Sequence, residues 1–300
     1  MRSTVVAIAA PAPAKALLSD ADLISVLALL DRDGESARLV GGALRNALLG
    51  HAVREFDIAT TAPPDVVMAR AQAAHIRCIP TGLEHGTVTL VVFGRAFEVT
   101  TLREDVETDG RRAKVRFSRD FARDALRRDF TVNALSMTLD GMLFDYVGSL
   151  ADIEARRLRF IGDPTQRIRE DYLRILRFFR FAAEYSEGPL DPGGLRACMR
   201  EREGLARLSR ERIRTEVLKL FAARRAAEIT EEICHAGLLG PLLAVAPNPA
   251  RLKSLLRIEA DEPRDPLLAL AALCVNVPED AQNLRERLRL SNAEERRLSC

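Results

Sequence analysis

LVGGALRNALLG (residues 39–50), followed four residues later by EFDIATT (55–61), is the stretch on which the fold turns. Arg38 to Gly42 reads as a short strand entering a Gly-Gly turn. Ala43 to Leu49 reads as one or two helical turns closed by Gly50, and Glu55 to Thr60 as a second strand. Side chains alternate on a strand, so Glu55 and Asp57 are expected on one face and Phe56 in the core. Two adjacent carboxylates repel unless a divalent cation lies between them. Hard oxygen donors that leave room for water and phosphate suit Mg²⁺. Gly41 and Gly42 would let the backbone approach a bulky anion, the helix start would aim free N–H groups at it, and Arg45 would add a fork for a phosphate oxygen. An isolated E-x-D is ordinarily solvated surface, and a lone Gly-Gly is ordinarily just a turn. Only their combination carries weight.

Outward from this stretch, residues 17–30 read as an amphipathic helix. Thr87 to Phe93 and Ala96 to Thr101 form a hairpin whose Gly94-Arg95 turn needs a positive φ at its first position. Glu98 lies on its second strand, facing away from Phe97 and Val99. The polar run 103–120, centred on Asp109-Gly110, reads as a mobile loop. After about residue 165 helical periodicity takes over, which describes a mixed α/β domain followed by an all-helical region.

Composition narrows the class. The 300 residues are 47% hydrophobic and 29% charged, too apolar for disorder and long enough for two domains. Leu267 to Val275, the longest apolar run near the C-terminal end, is about half of the ~20 residues a membrane span needs. The N-terminal apolar stretch Val5 to Ala10 falls short of a signal sequence and reads as a frayed arm. Five dispersed cysteines without C-x-x-C suggest reduced thiols in a cytosolic protein. Net charge is only +2, yet of 45 basic residues four are Lys, leaving 41 Arg. Residues 151–180 hold 8 Arg against 5 acidic side chains, a local surplus of +3.

The motifs in order, with FEVTTLRED (97–105), RRDFTVNAL (127–135), FDYVGSLADI (144–153) and EDYLRILRFFRF (170–181), resemble the DNA polymerase β-like nucleotidyltransferases. More narrowly, the chain is similar to the class II tRNA nucleotidyltransferase and bacterial poly(A) polymerase family, over roughly residues 38–220. The resemblance implies an α+β head with a mixed sheet, then an all-helical neck and body. It implies a flexible arm at 1–20, a catalytic head at 21–162, a neck carrying the nucleotide-base template at 163–222, and a body at 223–300 with a short or truncated tail.

By motif position, Glu55 and Asp57 would be the metal-binding catalytic carboxylates, with Mg²⁺ as cofactor, and Glu98 an auxiliary ligand or base. Gly41, Gly42, Arg45 and Arg128 would bind the nucleotide. Asp145 and Asp152 read as structural, and Arg127 as a surface residue of an Arg pair at a helix start. Asp171, Arg174, Arg177 and Arg180 recur every three residues, forming a polar stripe on one helix; such a stripe is ordinarily a solvated face. Within the family pattern Asp171 and Arg174 would form a template for the base. Asp accepts and Arg donates, which matches the exocyclic amine and bare ring nitrogen of C and A and mismatches U and G. Arg177 and Arg180 would support the triphosphate or order the helix. The long 103–120 segment, with Arg111 and Arg112, favours addition of A as well as C. The implied partners are tRNA, CTP and ATP, and the implied reaction is addition of C, C and A to the tRNA 3′ end. A poly(A) polymerase and a non-catalytic RNA-binding relative are the alternatives. Two departures stand out: Glu55 where the family usually has Asp, and Asn46 where an Asp commonly follows the Arg, costing a charge and an orienting hydrogen bond.

Overall fold

The computed structural model of the chain describes residues 5–108, 113–259 and 264–298. Among the described residues ten strands occur: β1 (Val6–Ala9), β2 (Ala37–Val40), β3 (Phe56–Thr60), β4 (Arg77–Gly82), β5 (Thr87–Val92), β6 (Arg95–Thr101), β7 (Arg103–Thr108), β8 (Ala113–Phe117), β9 (Ser136–Met137) and β10 (Met142–Asp145). Eight form one mixed sheet in the order β1-β10-β9-β2-β3-β6-β5-β4, and β7 pairs with β8 separately. Within the large sheet β3 and β6 run parallel while the other neighbours are antiparallel. A parallel pair needs a crossover, supplied here by the helix Pro64–Ala73 and the strands after it.

Register assigns the faces. Leu39 sits opposite Ile58, and Phe56 and Ile58 sit beside Phe97 and Val99. All five are buried, and Phe56 and Phe97 stack at 5.8 Å. The opposite face carries Val40, Asp57, Ala59 and Glu98. Val40 and Ala59 are closed over by Phe121, Ala125, Ala134 and Tyr146, so the helix Phe121–Leu126 covers one end of this face.

Several local expectations are corrected. Part of the 1–20 arm is an edge strand, with Val6 to Ala9 pairing against Asp145 to Met142. Four residues on an edge carry too little alternation to stand out. The 17–30 helix is divided at Asp20, whose side chain accepts from Asp22 and Leu23 N–H and caps a helix over Ala21–Leu30. The hairpin turn falls on Phe93-Gly94, both at positive φ, rather than on Gly94-Arg95. Buried pairs Leu90–Phe97 and Val88–Val99 fix the register, and the two-residue loop must follow it. The 103–120 loop is in part a β7–β8 ribbon; residues 109–112, including Arg111 and Arg112, lie outside the described residues. Backbone pairing makes that ribbon, with Arg116 donating to Glu104 across it at 2.8 Å, and composition does not reveal it.

The chain divides into two compact units: Met1–Ala155 with Arg159–Gly162, and Arg156–Leu158 with Asp163–Cys300. The second is helical throughout its described residues, from Pro164–Glu170 to Asn292–Leu298. Proline opens the helices Pro164–Glu170, Pro192–Arg200, Pro249–Ile258, Pro266–Cys274 and Pro278–Leu288, where its missing N–H would have no helical partner anyway. Cys78, Cys198, Cys234 and Cys274 are free thiols. Among the described residues no helix is long and apolar enough to cross a membrane.

Candidate active site

In the first unit the site is built around Gly41. Its φ of +69° favours glycine, and a Cβ there would stand 3.0 Å from Arg128 Nη1 and 3.9 Å from Asp57 Oδ2. The missing side chain therefore lets a guanidinium and a carboxylate flank the turn. The helix that follows starts at Gly42, one residue before the expected Ala43.

Asp57 and Glu98 are register partners on the parallel strands β3 and β6, so their side chains leave the same face side by side. Glu55 precedes β3 rather than belonging to it. All three are solvent-accessible. Desolvation raises the Asp57 pKa, opposed by Arg128, reinforced by Glu55 and opposed again by Arg45. Asp57 is thus open on one side and crowded by protein on others. Desolvation also raises the Glu98 pKa, helped by Asp57 and Glu55. Glu55 thus acts on both Asp57 and Glu98, and Asp57 acts on Glu98, although among the described residues no three metal-ligating side chains gather into a metal cluster.

Arg128 follows the helix Phe121–Leu126; the expected helix start at Arg127-Arg128 is a helix end. Arg128 Nη1 donates to the Asn133 carbonyl at 3.2 Å, and Nη2 donates to Asp124 at 3.1 Å. Asp124 is buried and also binds Arg127 at 2.6 Å. Burial pushes the Asp124 carboxyl up, but Arg128 and Arg127 outweigh it and hold the group below the ordinary aspartate value. Arg45 is buried and donates to Asn133 Oδ1, while Asn133 Nδ2 donates to Asp129 at 3.0 Å. Asp145 accepts the N–H groups of Val147, Gly148, Ser149 and Leu150, and Asp152 accepts from Thr131 and Arg159; both brace the fold, as expected.

In the second unit the polar stripe is not on one helix. The helix Pro164–Glu170 ends at Asp171, which is extended (φ −155°, ψ 107°), and a new helix runs over Leu173–Tyr185. Asp171 Oδ1 accepts from Leu173 N–H at 3.1 Å, in the manner of a cap, and Oδ2 accepts from Arg212 at 2.7 Å. Arg174 donates to Glu170 at 2.5 Å and to the Arg167 carbonyl at 2.8 Å. Arg177 lies 3.9 Å from Glu216 and over the Phe181 ring. Arg180 is buried, bound to Glu216 at 2.5 Å and Glu184 at 3.0 Å, with its guanidinium 4.0 Å from the Phe181 centroid. These partners tie Arg180 to its own helix and to the helix that carries Glu216.

The family described as "Poly A polymerase head domain" matches residues 37–159, and the one described as "Probable RNA and SrmB-binding site of polymerase A" matches 190–249. The mitochondrial CCA tRNA nucleotidyltransferase 1 of Danio rerio is 38% identical over 277 residues, 91% of this chain and 64% of the relative. The CCA-adding enzyme of Levilactobacillus brevis is 38% identical over 215 residues, 71% of this chain and 53% of the relative. A solved structure of the Bacillus stearothermophilus CCA-adding enzyme in complex with CTP superimposes with a TM-score of 0.68 at 32% identity, covering 96% of this chain and 66% of that one. The chain belongs to the class II tRNA nucleotidyltransferase and bacterial poly(A) polymerase family. It spans less than two thirds of the length of these relatives.

Within this class II nucleotidyltransferase chain, one departure proves milder than expected. Asn46 Oδ1 still accepts from Arg45 Nε at 3.1 Å and Nη2 at 2.9 Å. The charge is gone, but the orienting hydrogen bonds remain. Glu55, placed before the strand, has a longer side chain than the usual Asp with which to reach the carboxylate face. Sequence reasoning missed Asp124 and left Asn133 without a role. The i, i+3 and i, i+4 spacing of Asp124 to Arg127 and Arg128 was the available signal.

Asp124→Asn is expected to destabilise the protein by roughly 3 kcal/mol, because it strands two guanidinium groups at a buried partner. Urea unfolding measures this. Since the Asp124 pKa is depressed, its contribution is complete above the ordinary aspartate pKa and is lost as pH falls through the lower folded value. The wild-type advantage should therefore shrink only in strong acid. An equal gap at all pH values would contradict the ion-pair assignment.

Proposed function

We propose that the protein adds C, C and A to the 3′ end of tRNA from CTP and ATP, by attack of the RNA 3′-hydroxyl on the nucleotide α-phosphate. The observation that carries this reading is the pairing of Asp57 with Glu98 across β3 and β6, beside the Gly41 turn where Arg128 stands.

The donor set suits Mg²⁺. Asp57 and Glu98, each raised by desolvation and by a neighbouring carboxylate, gain from a cation beside them, and Mg²⁺ is commonly held by one or two carboxylates completed by phosphate and water oxygens. Glu55 and Asp57 would hold it, with Glu98 as auxiliary ligand or base. When bound, Mg²⁺ supplies Lewis-acid stabilisation of the attacking oxygen and of the triphosphate. Arg128, anchored by Asp124 and the Asn133 carbonyl, presents a fixed cation to the nucleotide. Arg45 acts from below the turn, its guanidinium set by Asn46 and Asn133. Gly41 and Gly42 keep the backbone low enough for the phosphates. In the neck, which we assign to residues 163–222 between a 21–162 head and a 223–300 body, Asp171 accepts from and Arg174 donates to the base edge, selecting C and A. Arg177 is the member of the stripe suited to the triphosphate.

The deciding experiment supplies a tRNA that ends before CCA with Mg²⁺ and with CTP, ATP or both. The expected result is two C residues from CTP alone and CCA from the mixture. A long A tract from ATP alone would instead assign a poly(A) polymerase. RNA binding without any incorporation would assign a non-catalytic relative.

A further inference from the structure

The helical unit contains a cavity of about 240 Å³ that the proposed chemistry does not use. Its floor is apolar, with Leu205, Ile213 and Leu238 buried beneath the half-buried Leu242. Its rim carries Arg202, Arg210 and Arg287 against one acid, Glu203, a surplus of two positive charges.

These three arginines differ from their neighbours. On the helix Arg210–Ala222, Arg212 binds Asp171 and Arg214 binds Glu294. On Pro278–Leu288, Arg285 binds Glu295, and Arg289 just beyond lies 3.9 Å from Glu211. Among the described residues Arg210 meets only the Glu286 carbonyl at 2.7 Å and Arg202 only the Met199 carbonyl at 3.3 Å. Among the described residues no carboxylate lies within ion-pair distance of Arg202, Arg210 or Arg287. Three guanidinium groups with no described carboxylate in ion-pair range, ringing an apolar pocket whose rim is net positive, are complementary to a ligand with a flat apolar body and flanking anions. Guanidinium forks match phosphate oxygens in pairs. The volume lies just below that of pockets for drug-sized molecules and suits one ring system rather than a peptide.

We propose that this cavity receives one unpaired nucleotide of bound RNA, its base on the Leu205–Ile213–Leu238–Leu242 floor and its phosphates on Arg202, Arg210 and Arg287. The inference rests on the RNA-directed reading above. The contact is one nucleotide in size, lies in the segment matched by the RNA-binding family model except for Arg287, and is separate from the nucleotide being added.

The test is fluorescence anisotropy of the full chain with a labelled tRNA transcript lacking CCA, over a range of salt concentrations. The double variant Arg202→Gln/Arg287→Gln is expected to bind about tenfold more weakly, with the log–log salt slope reduced by about one to two. Leu242→Trp, which fills the floor, is expected to weaken binding severalfold with the slope unchanged. Arg285→Gln, which removes the same charge from the same helix outside the rim, should have a smaller effect. Wild-type affinity in both rim and floor variants would overturn the proposal. So would a loss per charge no greater than that of Arg285→Gln, or a wild-type protein without RNA affinity. Incorporation of CTP by the wild type at saturating RNA reads the proposed reaction separately. Pocket-dependent RNA binding without incorporation would fail the reaction and leave the pocket standing. Incorporation with RNA affinity indifferent to the variants would do the reverse.

Discussion

Asp57→Asn is expected to lower nucleotide incorporation by about 10³-fold or more while leaving the fold intact. Asparagine keeps the shape of the side chain but removes the charge that would pair with Mg²⁺ on the proposed reading, and leaves an amide where a second oxygen stood. The structure adds an expectation about stability. The Asp57 pKa is raised by desolvation, with Glu55 contributing, so ionising it in metal-free protein opposes folding. The variant, studied in EDTA, should be at least as stable as the wild type at neutral pH. Its advantage should grow as pH rises through the carboxylate range and vanish in acid. Single-turnover incorporation of labelled CTP and thermal unfolding measure the two effects. Activity within tenfold of wild type would remove Asp57 from the metal site.

Arg174→Ala should change what is added more than whether addition occurs. The guanidinium is held by Glu170 and the Arg167 carbonyl, both contributed by the preceding helix. It is therefore pre-set as a donor rather than recruited by the base. If the proposed template reading holds, its removal takes the partner of the acceptor atoms of C and A, while the carbonyls of U and G lose nothing they had. The ratio of kcat/KM for CTP over UTP is expected to fall about 10²-fold, within the range that a polar site sustains by leaving wrong groups unpaired. Parallel incorporation assays with each single nucleotide give the ratio. An unchanged ratio would refute the template role of Arg174.

The head was legible where burial imposes a period. Phe56 and Phe97 point inward because a strand with one buried face must alternate, and the same alternation put Asp57 and Glu98 on the other face. Sequence separation hid that β3 and β6 are neighbours, since nothing local records a parallel crossover. The break at Asp171 was illegible for a different reason. Leu173, Leu176 and Phe179 continue a helical spacing that Ile168 had already begun, so one extended residue leaves the pattern nearly unchanged. The only trace is an Asp in a position to cap. Partners were the hardest to read. Arg180 looked equivalent to Arg177 on spacing, and what separates them is that Arg180 is buried against Glu184 and Glu216 while Arg177 stands 3.9 Å from Glu216.

The parallel β3–β6 pair also constrains when this site can exist during synthesis. Asp57 emerges from the ribosome before Glu98, yet the two become neighbours only after the crossover through Pro64–Ala73 has closed. Arg128 and Asn133, which set the guanidinium above Gly41, emerge later still. Long-range pairing is slow because loop closure precedes its reward, and here the pair being closed brings like charges together. A nascent chain that stops short of residue 133 therefore carries the signature motif but not the site. The carboxylate pair forms when β3 and β6 close, and the guanidinium beside it is set only once residue 133 is in place.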